Sequence, residues 1–209
     1  LGVSLGYHRY FVHQSFKCHK WLEALMLYLG GMAMGKMPSW WGSHMQHHAY
    51  ADRVGLDPHT PLEYVSWFKG FMWSHIVWLF FEKNKAPEGY KPALQPNKLV
   101  EMQDRYYFLI PVTSLLAIYA YAGWDGVWLA GVLRFLLQFH FTSCVNSLTH
   151  LMGIKGKSKD NSHNIPVLTI LTVGEANHAN HHEDPNCAFF ARKWWHFDPG
   201  KWLLIILEK

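Results

Sequence analysis

The residues best suited to chemistry lie in Gly174–Pro185, which reads GEANHANHHEDP and places His178, His181 and His182 at i, i+3 and i+4. On a helix these three rings share one face. A second cluster, His44-Met-Gln-His47-His48, repeats the spacing, and His8 and His13 form a looser pair. Neutral imidazole is a ligand for iron, zinc and copper. Neither HxxHH stretch contains a cysteine or carboxylate, so ligation would be by nitrogen, and composition does not choose among the three metals. One HxxHH among 15 histidines carries little weight, but two with a further pair carry much more. A catalytic zinc takes three protein ligands and a structural one four. Eight histidines therefore suit two metal ions with open positions.

The elements that must position these boxes are apolar blocks separated by polar loops. The first, Leu1–Tyr7, reads as the end of a helix, and a chain starting inside such a run is expected to be a fragment lacking earlier helices. Trp21–Met37 is apolar but short for a bilayer crossing. Trp67–Phe81, interrupted by Lys69 and His75, suits an interfacial helix. Glu82–Arg105, with Pro87, Pro92 and Pro96, reads as a loop. Tyr106–Ala122 and Val127–Leu148 are long apolar runs joined by the turn signal Gly123-Trp124-Asp125-Gly126, which predicts a transmembrane hairpin. Lys98 and Arg105 precede it and Lys155, Lys157 and Lys159 follow it, while the turn has no Lys or Arg, so both hairpin ends should face the cytoplasm. Two crossings leave the second and third boxes on one side. For the first box to join them, Trp21–Met37 must not cross, and should lie against or within a cytoplasmic cap.

The remaining composition excludes other classes. The length of 209 residues suits one domain, 1–209. Net charge is +4 with Lys and Arg spread over loops, which excludes a nucleic-acid partner. Cys18, Cys144 and Cys187 form no CxxC pair, which excludes a disulfide framework or zinc ribbon. The ligand rings need acceptors for their second nitrogens, and the candidates are Asp52, Asp57, Glu175, Glu183 and Asp184, with His59 also placed beside the ligands. His19, His75, His163 and His196 read as surface or interfacial. Arg134 and His140, inside the second apolar run, are candidates to line a cavity. Trp40-Trp41 and Trp194-Trp195 read as membrane-interface anchors.

With GYHRYFVHQSF at 6–16, HMQHH at 44–48, DPHTP at 57–61, KLVEMQDRYY at 98–107, VNSLTH at 145–150 and GEANHANHH at 174–182, the chain resembles the membrane fatty acid desaturases, most closely the stearoyl-CoA Δ9 type. The resemblance implies an all-α, integral-membrane helical bundle with a cytoplasmic histidine-rich cap, two of the family's four transmembrane helices being retained here (about 106–122 and 127–148). It implies a centre of two Fe ions that uses O2 and two electrons to place a cis double bond, at Δ9, in an acyl chain. One iron would take His8, His13, His44, His48 and His182. The other would take His47, His150, His178 and His181, with Asn146 reaching it through water. Asn146 and His150 lie at i and i+4, and so share a face at the cytoplasmic end of the hairpin. With no HPGG segment of a fused cytochrome b5, the donor should be a separate ferredoxin or cytochrome b5-like protein. The animal acyl-CoA enzymes carry an Arg-Asp pair where this chain has Gly42 and Ser43, and a tryptophan where it has Ser143. A bacterial-type enzyme acting on lipid-bound acyl chains fits as well as one acting on acyl-CoA. The alternatives are a related histidine-box hydroxylase or ketolase, and a non-catalytic metal-binding membrane protein.

Overall fold

The structure, a computed structural model, describes all residues except 82, 83, 85, 91–93, 208 and 209. It is mostly helical, and among the described residues the only sheet is a two-stranded antiparallel pair, β1 (Ile154–Lys155) with β2 (His163–Asn164). The chain forms two compact units, each built from two separate stretches: Leu1–Trp41 with Ala93–His140, and Gly42–Pro92 with Phe141–Lys209.

In the first unit, Gly2–Val12 is wound as a π-helix and packs on α1 (Lys20–Met34). The backbones approach so closely that a Cβ at Gly30 would fall 2.3 Å from the Tyr7 ring. Helix α4 (Lys98–Arg105) buttresses this pair: Gln103 donates to the Tyr7 hydroxyl (2.8 Å) and accepts from the Met37 amide (3.1 Å). The expected loop at 82–105 thus contains a helix. Asn97 caps it by accepting from the Leu99 and Val100 amides, and Val100 and Gln103, one turn apart, form its buried stripe. Residues 82, 83, 85 and 91–93 of that stretch lie outside the described residues.

Leu109–Leu148 is long and apolar enough, by length and composition, to cross a membrane, and little of it is buried. Its first part is α5 (Leu109–Gly126), interrupted at Gly123 by a non-helical φ of 58° and ψ of −154°, which glycine adopts without a steric penalty. A π-wound turn at Val127–Leu133 and α6 (Arg134–Leu148) follow. The backbone reverses at Gly123, bringing Gly131 against Leu115 and Gly126 against Ile118. The reversal falls in the Gly-Trp-Asp-Gly signal. Helix α1 lies beside α5, with Tyr28 Oη 2.8 Å from Ser114 Oγ, and belongs to the unit of the apolar helices rather than to the one holding the second and third boxes. Arg134 turns back to the Ala130 carbonyl and reaches the Met32 carbonyl of α1, so its charge is solvated by backbone.

The second unit contains most of α2 (Met37–Tyr50), α3 (Trp67–His75), a 3₁₀ turn at Val77–Phe80, the end of α6, β1–β2, α7 (Pro166–Thr169), α8 (His178–Glu183) and α9 (Pro199–Leu207). The expected interfacial helix is shorter than 67–81. His75, read as a surface group, is buried at its end, with Nδ1 3.1 Å from Ser147 Oγ. Gly70 on α3 lets the Pro61 carbonyl approach to where a Cβ would stand only 2.0 Å away. Gly70→Ala is expected to destabilise the protein by roughly 1–3 kcal/mol, since the obstacle is backbone that must shift as a unit. Thermal unfolding in detergent checks this; an unchanged midpoint contradicts it.

Candidate metal centre

Helices α2 and α8 carry the HxxHH boxes, and α6 ends two residues before His150. Within the second unit their rings form two groups. His47, His150, His178 and His182 have ligand nitrogens within 4.8 Å of one another. The Nε2 atoms pair closely: His178 with His150 at 3.0 Å, His182 with His178 at 3.1 Å, and His47 with His182 at 3.3 Å. The other group contains His44, His48 and His181, with His48 Nε2 3.0 Å from His44 and 2.9 Å from His181. In the first unit, His8 and His13 are buried, their ring centroids 5.0 Å apart.

The opposite sides of the rings explain this convergence. His47 Nδ1 lies 2.9 Å from Asp57, His150 Nδ1 3.0 Å from Asp52, and His182 Nδ1 2.8 Å from Asp160. A ring that donates its Nδ1 proton to a carboxylate presents the Nε2 lone pair on its far edge. Several lone pairs facing one another at about 3 Å repel unless a cation lies among them. Burial pushes His182 down to about 4, against Asp160, so this ring is neutral at physiological pH. Burial opposes charge on His47 too, but Asp57 beside it raises its pKa above the ordinary value. The cluster thus draws positive charge, and a proton or a metal ion can supply it. The donor set fits metal: neutral imidazoles, anionic carboxylates behind them, and no cysteine.

The carboxylates are held ionised. Burial alone would raise Asp57, but His47, His59 and the Asp52 amide hold it well below the carboxylate range. Burial likewise opposes charge on Asp160 and Asp52, which His182 and Ser162, and His150 and Asn161, hold low. Asp52 has a φ of 61°, a region Asp tolerates better than most residues. That conformation aims the carboxylate at His150, Thr60 and the Asn161 amide together.

The sequence of the whole site has counterparts. A family model described as fatty acid desaturase matches residues 1–203. The chain belongs to the fatty acid desaturase family. It is 35% identical over 215 residues to the sn-2 palmitoyl-lipid 9-desaturase of Nostoc sp. (strain 36), covering all of this chain and 73% of that protein. It is 36% identical over 203 residues to the sn-1 stearoyl-lipid 9-desaturase of Synechocystis sp. (strain ATCC 27184 / PCC 6803 / Kazusa), covering 95% of this chain and 61% of the relative. The acyl-CoA C20 Delta5-desaturase of Anemone leveillei is 32% identical, with 99% and 66% covered. This desaturase is therefore an oxidoreductase acting on fatty acyl chains, in a family associated with membranes.

The desaturase places its ligand candidates differently from the division that the resemblance implies. His181 joins His44 and His48, and His182 joins His47, His150 and His178. The reason is the helical pitch: residues at i and i+4 diverge by about 40°, whereas adjacent residues diverge by about 100°. Each box therefore gives its i/i+4 pair to one group and its i+3 ring to the other. Asn146 lies half-buried one turn before His150 on α6. Of the expected carboxylates, Asp52 and Asp57 do hold ring nitrogens, but Glu183 accepts from the Lys157 amide and Asp184 pairs with Arg192. Asp160 was not legible as a partner; it sits in KGKSKDNS, which reads as a solvated loop. His59 is buried, 4.4 Å from His47 between ring centroids, and its amide donates to Asp57. Burial, followed by His47, pushes its pKa down to about 3.

Proposed function

We propose that the protein is an O2-dependent desaturase that introduces a cis double bond, at Δ9, into an acyl chain carried on lipid or as a thioester. The observation that carries this reading is the pair of interleaved imidazole groups, supported by carboxylates and free of thiolate. In this reading His44, His48 and His181 hold one iron together with His8 and His13. His47, His150, His178 and His182 hold the other, with Asn146 contributing through water. The two compact units then act as one desaturase domain.

An unactivated methylene has no acidic C–H, so a general base cannot begin the reaction. When bound, the two irons supply the oxidant, taking O2, two electrons and two protons to two waters as the acyl chain loses two hydrogens. The chain's residues hold and orient that centre. Asp57, Asp52 and Asp160 fix the tautomers of His47, His150 and His182 so that these three rings present Nε2 inward, and burial keeps bulk water away.

The reversal at Gly123 supports two membrane crossings within 109–148 and an active site on the cytoplasmic side with Lys155, Lys157 and Lys159. Gly42, Ser43 and Ser143, together with the lipid-linked substrates in the names of two relatives, favour an acyl-lipid substrate over acyl-CoA. Electrons come from a separate ferredoxin or cytochrome b5-like protein. The test is expression in a desaturase-deficient host with mass spectrometry of the fatty acids. New monounsaturated acids with the bond at carbon nine are expected. An alcohol without an alkene would replace this reading with hydroxylation.

A further inference from the structure

We propose that the loop 155–161 is the docking surface for a small acidic one-electron carrier protein, and that electrons enter the centre there through Asp160 and His182. This deepens the desaturase reading and rests on it.

Three observations meet at this loop. First, Lys155, Lys157 and Lys159 alternate along it, all exposed, and none is in an ion pair among the described residues. Second, the nearby acids are turned to other tasks: Asp160 to His182, Glu183 to the Lys157 amide, and Asp184 to Arg192. These acids keep their negative charge, but Lys155, Lys157, Lys159, Arg192 and Arg53, which is exposed and next to the Asp52 that accepts from the Asn161 amide, outnumber them, so the surface is net positive. Third, Asp160 differs from the other carboxylates behind the rings. Asp57 is 0% and Asp52 6% exposed at the side chain, whereas Asp160 is 16% exposed while lying 2.8 Å from His182 Nδ1. One carboxylate, one hydrogen bond and one imidazole therefore connect solvent with the metal-facing nitrogen. Electron tunnelling weakens steeply with distance, so a carrier gains most by docking where this bonded route reaches the surface.

The loop is also held for the task. Asp160 and Asn161, adjacent in sequence, bind His182 and Asp52, so the loop is tied to two of the four rings of one group. Charge complementarity selects an acidic partner and raises its encounter rate. Each carrier gives one electron and is itself oxidised. Two encounters supply the two electrons that, with two protons and the two hydrogens of the acyl chain, take O2 to two waters.

The test is the triple variant Lys155→Glu, Lys157→Glu, Lys159→Glu in the full protein, reconstituted in nanodiscs. Binding of an acidic iron–sulfur ferredoxin and of the soluble haem domain of a cytochrome b5 is measured against salt. Oxidation of each reduced carrier is followed by its own absorbance under anaerobic conditions. For at least one carrier, wild type should bind with marked salt sensitivity. The variant should bind it roughly tenfold or more weakly and oxidise it correspondingly slowly. Product from a single O2 pulse after chemical reduction should be unchanged in the variant. Equal carrier affinity in both proteins overturns the proposal, as does absence of salt-sensitive binding by wild type. Unchanged carrier binding with loss of retained anionic lipid assigns the lysines to headgroups and also overturns it. If chemically reduced wild type makes no alkene, the desaturase reading fails, and the binding result stands separately.

Discussion

The double variant His44→Ala/His181→Ala is expected to hold about one metal ion per chain as tightly as wild type does, whereas His44→Ala/His182→Ala holds every ion more weakly than wild type and loses more of its metal on dialysis. Both remove one histidine from each box, so composition, charge and lost side-chain volume are matched. They differ only in how the losses fall on the two groups. His44 and His181 belong with His48, so removing both damages one group and leaves His47, His150, His178 and His182 intact. His44 and His182 belong to different groups, so that pair damages both. The first variant leaves one group with its whole native ligand set, whereas each group in the second has lost a ligand and no native site remains complete. Metal analysis of purified, iron-loaded protein after dialysis, with circular dichroism as a check on folding, decides the matter. Equal metal content in the two variants would refute the crossed grouping. Desaturation should vanish in both, so activity alone cannot substitute for the metal count.

Asp57→Asn should weaken metal binding about 10- to 100-fold while the helical content stays unchanged. Asp57 has no exposed surface, and its two oxygens accept from His47 Nδ1 and the Asp52 amide on one side and the His59 amide on the other. An amide of the same shape offers only one acceptor oxygen. Its NH2 must face a donor, leaving a buried polar contact unmade at a cost of roughly 1–3 kcal/mol. If the His47 contact is lost, the ring no longer has a fixed tautomer, and Nε2 is not held ready for a metal. Asp184→Asn makes the comparison: Asp184 is half exposed and its pair with Arg192 is 3.4 Å long, so metal affinity should be unaffected. Isothermal titration of the metal-free protein with ferrous iron checks both. Similar affinities for Asp57→Asn and wild type would mean that the carboxylate does not orient the ligand.

Much of the site was legible because the signals were local and redundant. The two HxxHH boxes needed only helical spacing, and Asn146 to His150 needed only one turn. Gly123 was legible because two apolar runs demand a turn and glycine permits the φ it requires. The crossed grouping was implicit in the same helical angles, yet ring direction matters only once α2 and α8 face each other, and no spacing in the sequence specifies that. Helix α4 was hidden because a mostly polar, proline-flanked segment looks like loop; its Asn97 cap and the Val100–Gln103 stripe were the overlooked signs. Asp160 had no local sign at all. Its partner, His182, lies 22 positions away, and the contact depends on how β1 and β2 turn the loop. The same holds for His75, whose neighbour Ser147 is 72 positions distant.

The discontinuous units impose an order on biosynthesis. The second unit begins at Gly42, pauses for the first unit's return through 93–140, and resumes at Phe141. His44, His47 and His48 thus leave the ribosome with Asp57 at hand but without His150 or the third box, which follow roughly a hundred residues later. At ordinary elongation rates that interval is on the order of ten seconds. Throughout it the second box is an open set of imidazoles able to take any available divalent ion weakly and release it again. A complete nitrogen cage exists only after His182 has emerged, so a metal ion is captured only once both stretches of the second unit have been made. Metal shortage would then leave the second unit assembled but not locked, and that unit would be the place where a protease first finds the chain.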